Sequence, residues 1–240
     1  RHRHAVGCEQ TVRGFANFRI GERRAHEGAA LRHREQRIDG DGARGIELLL
    51  DGAAGKIEVD VSDPGAAADG HRRGIALIAH PHPLMGGTKD NKVVTTLART
   101  FHALGCATLR PNFRGVGASA GVHDQGIAET DDLIAVADYA KQRFGDLPLV
   151  CAGFSFGSYV QTRVVERIAA HQLVLVAPAV SRFKTGTVPA GTLVIHGEVD
   201  DVVPLAAGKA VWPFDGDPRW KQISDVMKGQ GFQWGGDWKD

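Results

Sequence analysis

Leu147-Pro148-Leu149-Val150-Cys151-Ala152-Gly153-Phe154-Ser155-Phe156-Gly157-Ser158-Tyr159-Val160 is the stretch on which the fold turns. It reads as an apolar run, then a G-x-S-x-G pentad, then the opening of a helical segment, SYVQTRVVERIA. A near-continuous apolar run bounded in this way suits a strand buried on both faces of a sheet. A strand that passes directly into a helix sets Ser155 on a tight, strained turn. Gly153 and Gly157, two residues either side, leave room for the neighbouring strand and helix backbones to approach closely. The Ser155 hydroxyl is therefore expected at the carboxyl rim of a parallel sheet, where α/β folds bind their ligands.

On either side of this elbow, from about Ile46 to Ala206, short β-branched runs alternate with longer helical patterns, the signature of a mostly parallel sheet covered on both faces. The runs predict strands over Lys56–Val61, Gly74–His80, Ala107–Phe113, Leu147–Gly153, Leu173–Ala177 and Thr192–His196. Helices are predicted over Asn91–Leu104, after Asp90 as N-cap and closing at Gly105, over Thr130–Phe144, stopping at Gly145, and over Ser158–Ala169.

Two regions differ in texture from this body. Residues 1–45 carry Arg as the basic residue besides histidine and sustain no helix or strand period, so the segment reads as poorly ordered. A nucleic-acid-binding arm would need unbroken charge or an aromatic ladder, and Glu9, Glu22, Glu27, Glu35, Asp39 and Asp41 interrupt it. Residues 207–240 hold all four tryptophans, Trp212, Trp220, Trp234 and Trp238, and no histidine, a break that reads as a tail of different origin. The expected organisation is one α/β domain over residues 46–206 between these segments.

The balance of 29 basic against 28 acidic residues argues against a nucleic-acid or membrane-surface partner. Cys8, Cys106 and Cys151 are odd in number and lack metal-site spacing, which fits a reduced, cytoplasmic setting. There is no apolar run of about 18 residues to span a bilayer, nor a signal-peptide core at the first residues. No cofactor or metal is expected, and the expected partner is a small-molecule acyl substrate.

A nucleophilic serine needs N–H donors for a developing oxyanion, a base, and an acid that orients the base. In the loop His80-Pro81-His82-Pro83-Leu84-Met85-Gly86-Gly87 the prolines carry no N–H, so His82 is the first backbone donor beyond the strand. The predicted oxyanion hole is the N–H of His82 with that of Phe156. Chelation of a metal by His80 and His82 lacks a third ligand. Asp200, in the turn after Thr192–His196, is the expected acid, with Asp201 and Glu198 as fallbacks, so that Ser155 precedes the acid in the chain. Gly115-Val116-Gly117-Ala118-Ser119-Ala120 matches G-x-G-x-x-A, but Gly121 and the loop after it leave no helix N-terminus for a dinucleotide pyrophosphate.

Four motifs in this order, HPHPLMGGTKDNKVV (80–94), NFRGVGAS (112–119), GFSFG (153–157) and HGEVDDVVP (196–204), resemble those of small bacterial α/β hydrolases related to dienelactone hydrolase. The resemblance implies the α/β-hydrolase fold and a capless or lightly capped serine hydrolase acting on esters, thioesters or related acyl compounds. It implies Ser155 as nucleophile and Asp200 as acid. The family's histidine lies in a G-x-x-H-F-F segment after the acid, whereas the eleven histidines of this chain end at His196. The triad is thus expected to be incomplete and turnover impaired, unless His82 or His123 substitutes as base. The tail, with WPF, DPRW and WGGDWK, resembles part of the zinc D-Ala-D-Ala carboxypeptidase and endolysin peptidases, yet holds none of the histidines such a site uses. A join near 205–208 is inferred. The alternative reading is a truncated or chimeric hydrolase-fold module that binds without turnover.

Overall fold

The computed structural model describes residues 33–38, 44–65, 72–186, 188–197, 200 and 202. They form one eight-stranded sheet in the order β1-β2-β3-β5-β4-β6-β7-β8. The strands are β1 (His33–Ile38), β2 (Arg44–Gly52), β3 (Gly55–Ser62), β4 (Gly74–Ala79), β5 (Cys106–Pro111), β6 (Leu149–Phe154), β7 (Gln172–Val176) and β8 (Leu193–Ile195). From β5 across to β8 every pairing is parallel, and β1, β2, β3 and β5 pair antiparallel. The helices are α1 (Lys92–Ala103), α2 (Ile127–Phe144) and α3 (Phe156–Val165).

Alternation along β4 decides which helix packs where. Ile75, Leu77 and Ala79 join one core with Leu133 and Val136 of α2 and Val160 and Val164 of α3. Ala76 and Ile78 join the other, with Val93, Val94 and Leu97 of α1. Successive side chains of a strand point to opposite faces, so a strand covered on both must be apolar throughout. Every residue of β4 is buried accordingly.

The six predicted strands and three helices all form, with ends that move by a few residues. Helix α1 is capped by Asn91, whose side chain accepts the Val93 N–H at 2.9 Å, rather than by Asp90 as predicted. Helix α2 begins at Ile127, a turn earlier than predicted, because Glu129 accepts the Gly126 N–H and closes the first turn. Helix α3 begins directly after Ser155 and stops at Val165, short of the predicted Ala169. Strand β1 and the start of β2 fall in the segment read as poorly ordered. HREQRI is held as an edge strand by its backbone ladder to β2, and its polar composition carries no period of two. The other residues of that segment, and the whole tail over residues 207–240, lie outside the described residues.

Candidate active site

The elbow takes the geometry its sequence requires. Ser155 has φ 53 and ψ −113, one of three non-glycine residues at positive φ among those described. Such a conformation costs of order 1–3 kcal/mol and persists only where its surroundings hold it. Here they do. The Ser155 N–H donates to the Val176 carbonyl at 2.9 Å. The Ser158 hydroxyl lies 2.7 and 3.0 Å from the carbonyl oxygens of Gly153 and Val176, which share its one proton. The Gln161 amide spans the carbonyls of Leu77 and Ala152 at 2.9 and 3.0 Å, tying α3 to β4 and β6. A Cβ on Gly153 would meet the Gly157 carbonyl oxygen at 2.4 Å, and one on Gly157 would meet that of Ala79 at 2.4 Å. Both glycines are therefore demanded by close backbone approach. The Ser155 side chain, in a half-buried residue, makes no hydrogen bond among the described residues.

β4 lies beside β6, with Ala79 opposite Gly153, so the loop after β4 rises next to the elbow. His80 is fully buried. Its Nε2 accepts the Phe113 N–H at 2.9 Å and its Nδ1 faces the Pro81 carbonyl at 2.7 Å, which fixes the Nδ1–H tautomer. Burial pushes its pKa down to about 4, against the opposing pull of the Pro81 carbonyl. With both nitrogens engaged, His80 is a structural link between the loops after β4 and β5 and is closed to a metal. His82 opens the 3-10 turn Pro83–Met85. Its Nδ1 accepts the Leu84 N–H at 3.2 Å, and its carbonyl accepts from Met85 and Gly87 at 3.1 and 3.0 Å. The N–H groups of His82 and Phe156 donate to no other described residue. The rings of these two residues stand 4.8 Å apart.

A third imidazole joins them. The His123 ring is 4.8 Å from that of His82 and 5.3 Å from that of Phe156. Its Nδ1 lies 2.9 Å from Glu129 Oε1, in a direction that falls outside hydrogen-bond geometry. The Glu129 side chain is 0% exposed and also accepts the N–H groups of Asp124 and Gly126 at 2.8 and 2.9 Å. Sequence reasoning passed over Glu129, although its place three residues after Gly126, at the head of a helical run, is a capping signal. Burial depresses the His82 pKa, helped by His123 and Arg182 and opposed by Glu129.

The structure thus brings Ser155, Phe156, His82, Gly153 and Gly157 together. Asp200 follows β8, which is separated from β6 in the sheet by β7 alone. Its Oδ1 accepts the Val202 N–H at 3.0 Å, and its Oδ2 is 3.7 Å from Nε2 of the buried His196. The fallback acids Glu198 and Asp201 lie outside the described residues. The glycine-rich run after β5 leads into no helix until Ile127, and its Ala118 N–H is taken by the Glu58 carboxylate at 2.6 Å, which disposes of a pyrophosphate site. Among the described residues no group of three His, Cys, Asp or Glu side chains could hold a metal, and no helix is long and apolar enough to cross a membrane.

A sheet parallel from β5 to β8, helices on both faces and an elbow serine at its carboxyl rim define the α/β-hydrolase fold. Residues 72–184 match the family model described as serine aminopeptidase, S33. The chain is similar to an uncharacterized protein of Rickettsia prowazekii, 34% identical over 148 residues, which are 61% of this chain and 57% of that protein. It therefore spans little more than half the length of that curated relative. Among solved structures it is similar to an α/β serine hydrolase without lid from Xanthomonas campestris, at 33% identity and TM-score 0.67, covering 77% of this chain and 90% of that one. An α/β serine hydrolase homologue from Coxiella burnetii matches at 33% identity and TM-score 0.64, over 77% and 96%. The chain belongs to the α/β serine hydrolases.

Proposed function

We propose that the chain is a carboxylic ester hydrolase of the capless, dienelactone hydrolase-related kind, with Ser155 as nucleophile. Ser155 Oγ attacks the carbonyl carbon of an ester, thioester or related small acyl compound, and the carbonyl electron pair moves onto oxygen. The N–H groups of His82 and Phe156 receive that charge. As it collapses back, the acyl C–O or C–S bond breaks and the alcohol or thiol leaves with the proton given up by Ser155. Water then cleaves the acyl-enzyme, releasing the carboxylic acid and restoring the Ser155 hydroxyl. Asp200 is the acid. The observation that carries the reading is the positive φ of Ser155, a strain held by the backbone bonds and close glycine contacts around the elbow. Leu84 and Met85, beside His82, are exposed at 73% and 71%, and suit a substrate with an apolar acyl part.

Within these 240 residues no histidine follows Asp200, and the Ser155 side chain has no hydrogen-bonded base among the described residues. Turnover is accordingly slow, carried by binding and oxyanion stabilisation, which alone leave about 10³–10⁴-fold acceleration over water in a serine protease stripped of triad members. The tail, in this reading, derives from a zinc peptidase and supplies no zinc site. The setting is cytoplasmic, without a cofactor. The test is hydrolysis of p-nitrophenyl acetate and butyrate. The chain should exceed its Ser155→Ala variant, and equal rates reject a catalytic Ser155.

A Ser155 hydroxyl without a hydrogen-bond partner among the described residues also favours a second reading, a hydrolase-fold module that binds acyl ligands without turnover. Failure of a fluorophosphonate to label Ser155 would select it.

A further inference from the structure

The oxyanion reading leaves the His82 side chain without a role, and its geometry supplies one. Nδ1 accepts the Leu84 N–H at 3.2 Å, two residues along the chain, so the imidazole closes the 3-10 turn that starts from its own residue. An acceptor Nδ1 fixes the neutral ring with its proton on Nε2. The backbone of His82 is held in the same turn by the N–H groups of Met85 and Gly87 on its carbonyl, at 3.1 and 3.0 Å. One residue thus carries both the amide assigned to the oxyanion and the cap that fixes the direction of that amide.

We infer that the His82 imidazole is a positioning residue for the oxyanion hole, holding its own backbone N–H in place through the Leu84 cap, and that protonation at Nδ1 releases it. A proton there converts the acceptor into a donor facing another N–H, so the cap is lost and the Pro83–Met85 turn is left to its backbone bonds alone, with the orientation of its first residue loosened. Among the described residues, the groups that face the ring are His123 at 4.8 Å, Phe156 at 4.8 Å and Phe183 at 6.1 Å between centroids, with Glu129 behind His123 and the charge of Arg182 nearby. Phe156, the second residue assigned to the oxyanion hole, is one of these neighbours, so a shift of the turn disturbs both donors together. Burial first, with His123 and Arg182 acting in the same direction, keeps the His82 ring neutral to lower pH, which puts the release on the acid side of neutrality.

The inference rests on the oxyanion assignment made under the proposed function, and the experiment separates the two. His82→Asn and His82→Ala are compared with the unaltered chain in p-nitrophenyl butyrate hydrolysis from pH 8 to pH 5. An asparagine side-chain oxygen can accept the same N–H two residues on but does not titrate. His82→Ala should lower kcat about tenfold to a hundredfold, less than the full loss of an oxyanion donor, with KM little changed. His82→Asn should recover part of the kcat that His82→Ala loses at pH 8, and should keep a larger fraction of its own pH 8 value at pH 5 than the unaltered chain does. The flattened acid limb of His82→Asn decides the matter even if His82→Ala fails to fold. If the acid limbs of the unaltered chain and His82→Asn superimpose, or if His82→Ala keeps full kcat, the positioning role is wrong while the hydrolase reading stands. If Ser155→Ala matches the unaltered chain, the hydrolase reading itself is at fault.

Discussion

A methyl group on Gly157 would sit 2.4 Å from the Ala79 carbonyl oxygen and 2.5 Å from that of His80, both backbone atoms with little freedom to retreat. Gly157→Ala should therefore push the elbow from β4, costing about 1–3 kcal/mol in a chemical unfolding experiment and displacing Ser155 from its rim position. His80 makes a second prediction at this scale. Its pKa is about 4 in the fold against 6.5 for a free histidine, so above pH 6.5 both states are neutral and its contribution is complete. Between about 6.5 and 4 the unfolded chain takes up a proton that the folded chain refuses, and stability is lost as pH falls. The urea midpoint should decline through that window, and decline less in His80→Gln, which removes the titrating group. A decline of equal size in both would assign it to other groups.

The strands and helices around the site were legible because each carries its own signal. The near-continuous apolar runs of β4 and β6 require burial on both faces, and Gly105 and Gly145 punctuate the helices before them. Strand β1 was not legible, since an edge strand paired through its backbone has no pattern to display. Helix starts were less legible than helix bodies. Asp90 and Asn91 are adjacent, both good caps, and only three-dimensional placement selects the one whose oxygen meets the Val93 N–H. Asn91→Ala should then destabilise the protein by about 1 kcal/mol, and Asp90→Ala by less, as thermal unfolding would measure. The reverse order would return the cap to Asp90. Of the candidate site, the elbow and its glycines were readable from local chain chemistry. The His82–His123–Glu129 cluster was not, because it is assembled from the loops after β4 and β5 and from the head of α2, segments whose contact no local pattern encodes.

At the scale of the whole molecule, the sheet order puts β4 and β6 side by side and gathers the loop that begins at His80 against the turn at Ser155, while β8 carries Asp200 two strands further along. The same arrangement explains how a chain with no histidine after Asp200 among its 240 residues can retain the fold of the α/β serine hydrolases. The strain on Ser155 is borne by β4, β6, β7 and α3, none of which depends on that histidine. The most direct measurement is peptide mapping by mass spectrometry after treatment of the full chain with a fluorophosphonate. The account predicts one adduct, on Ser155, that is absent from Ser155→Ala. A chain that stays unlabelled, or an adduct that persists when Ser155 is replaced, would contradict it.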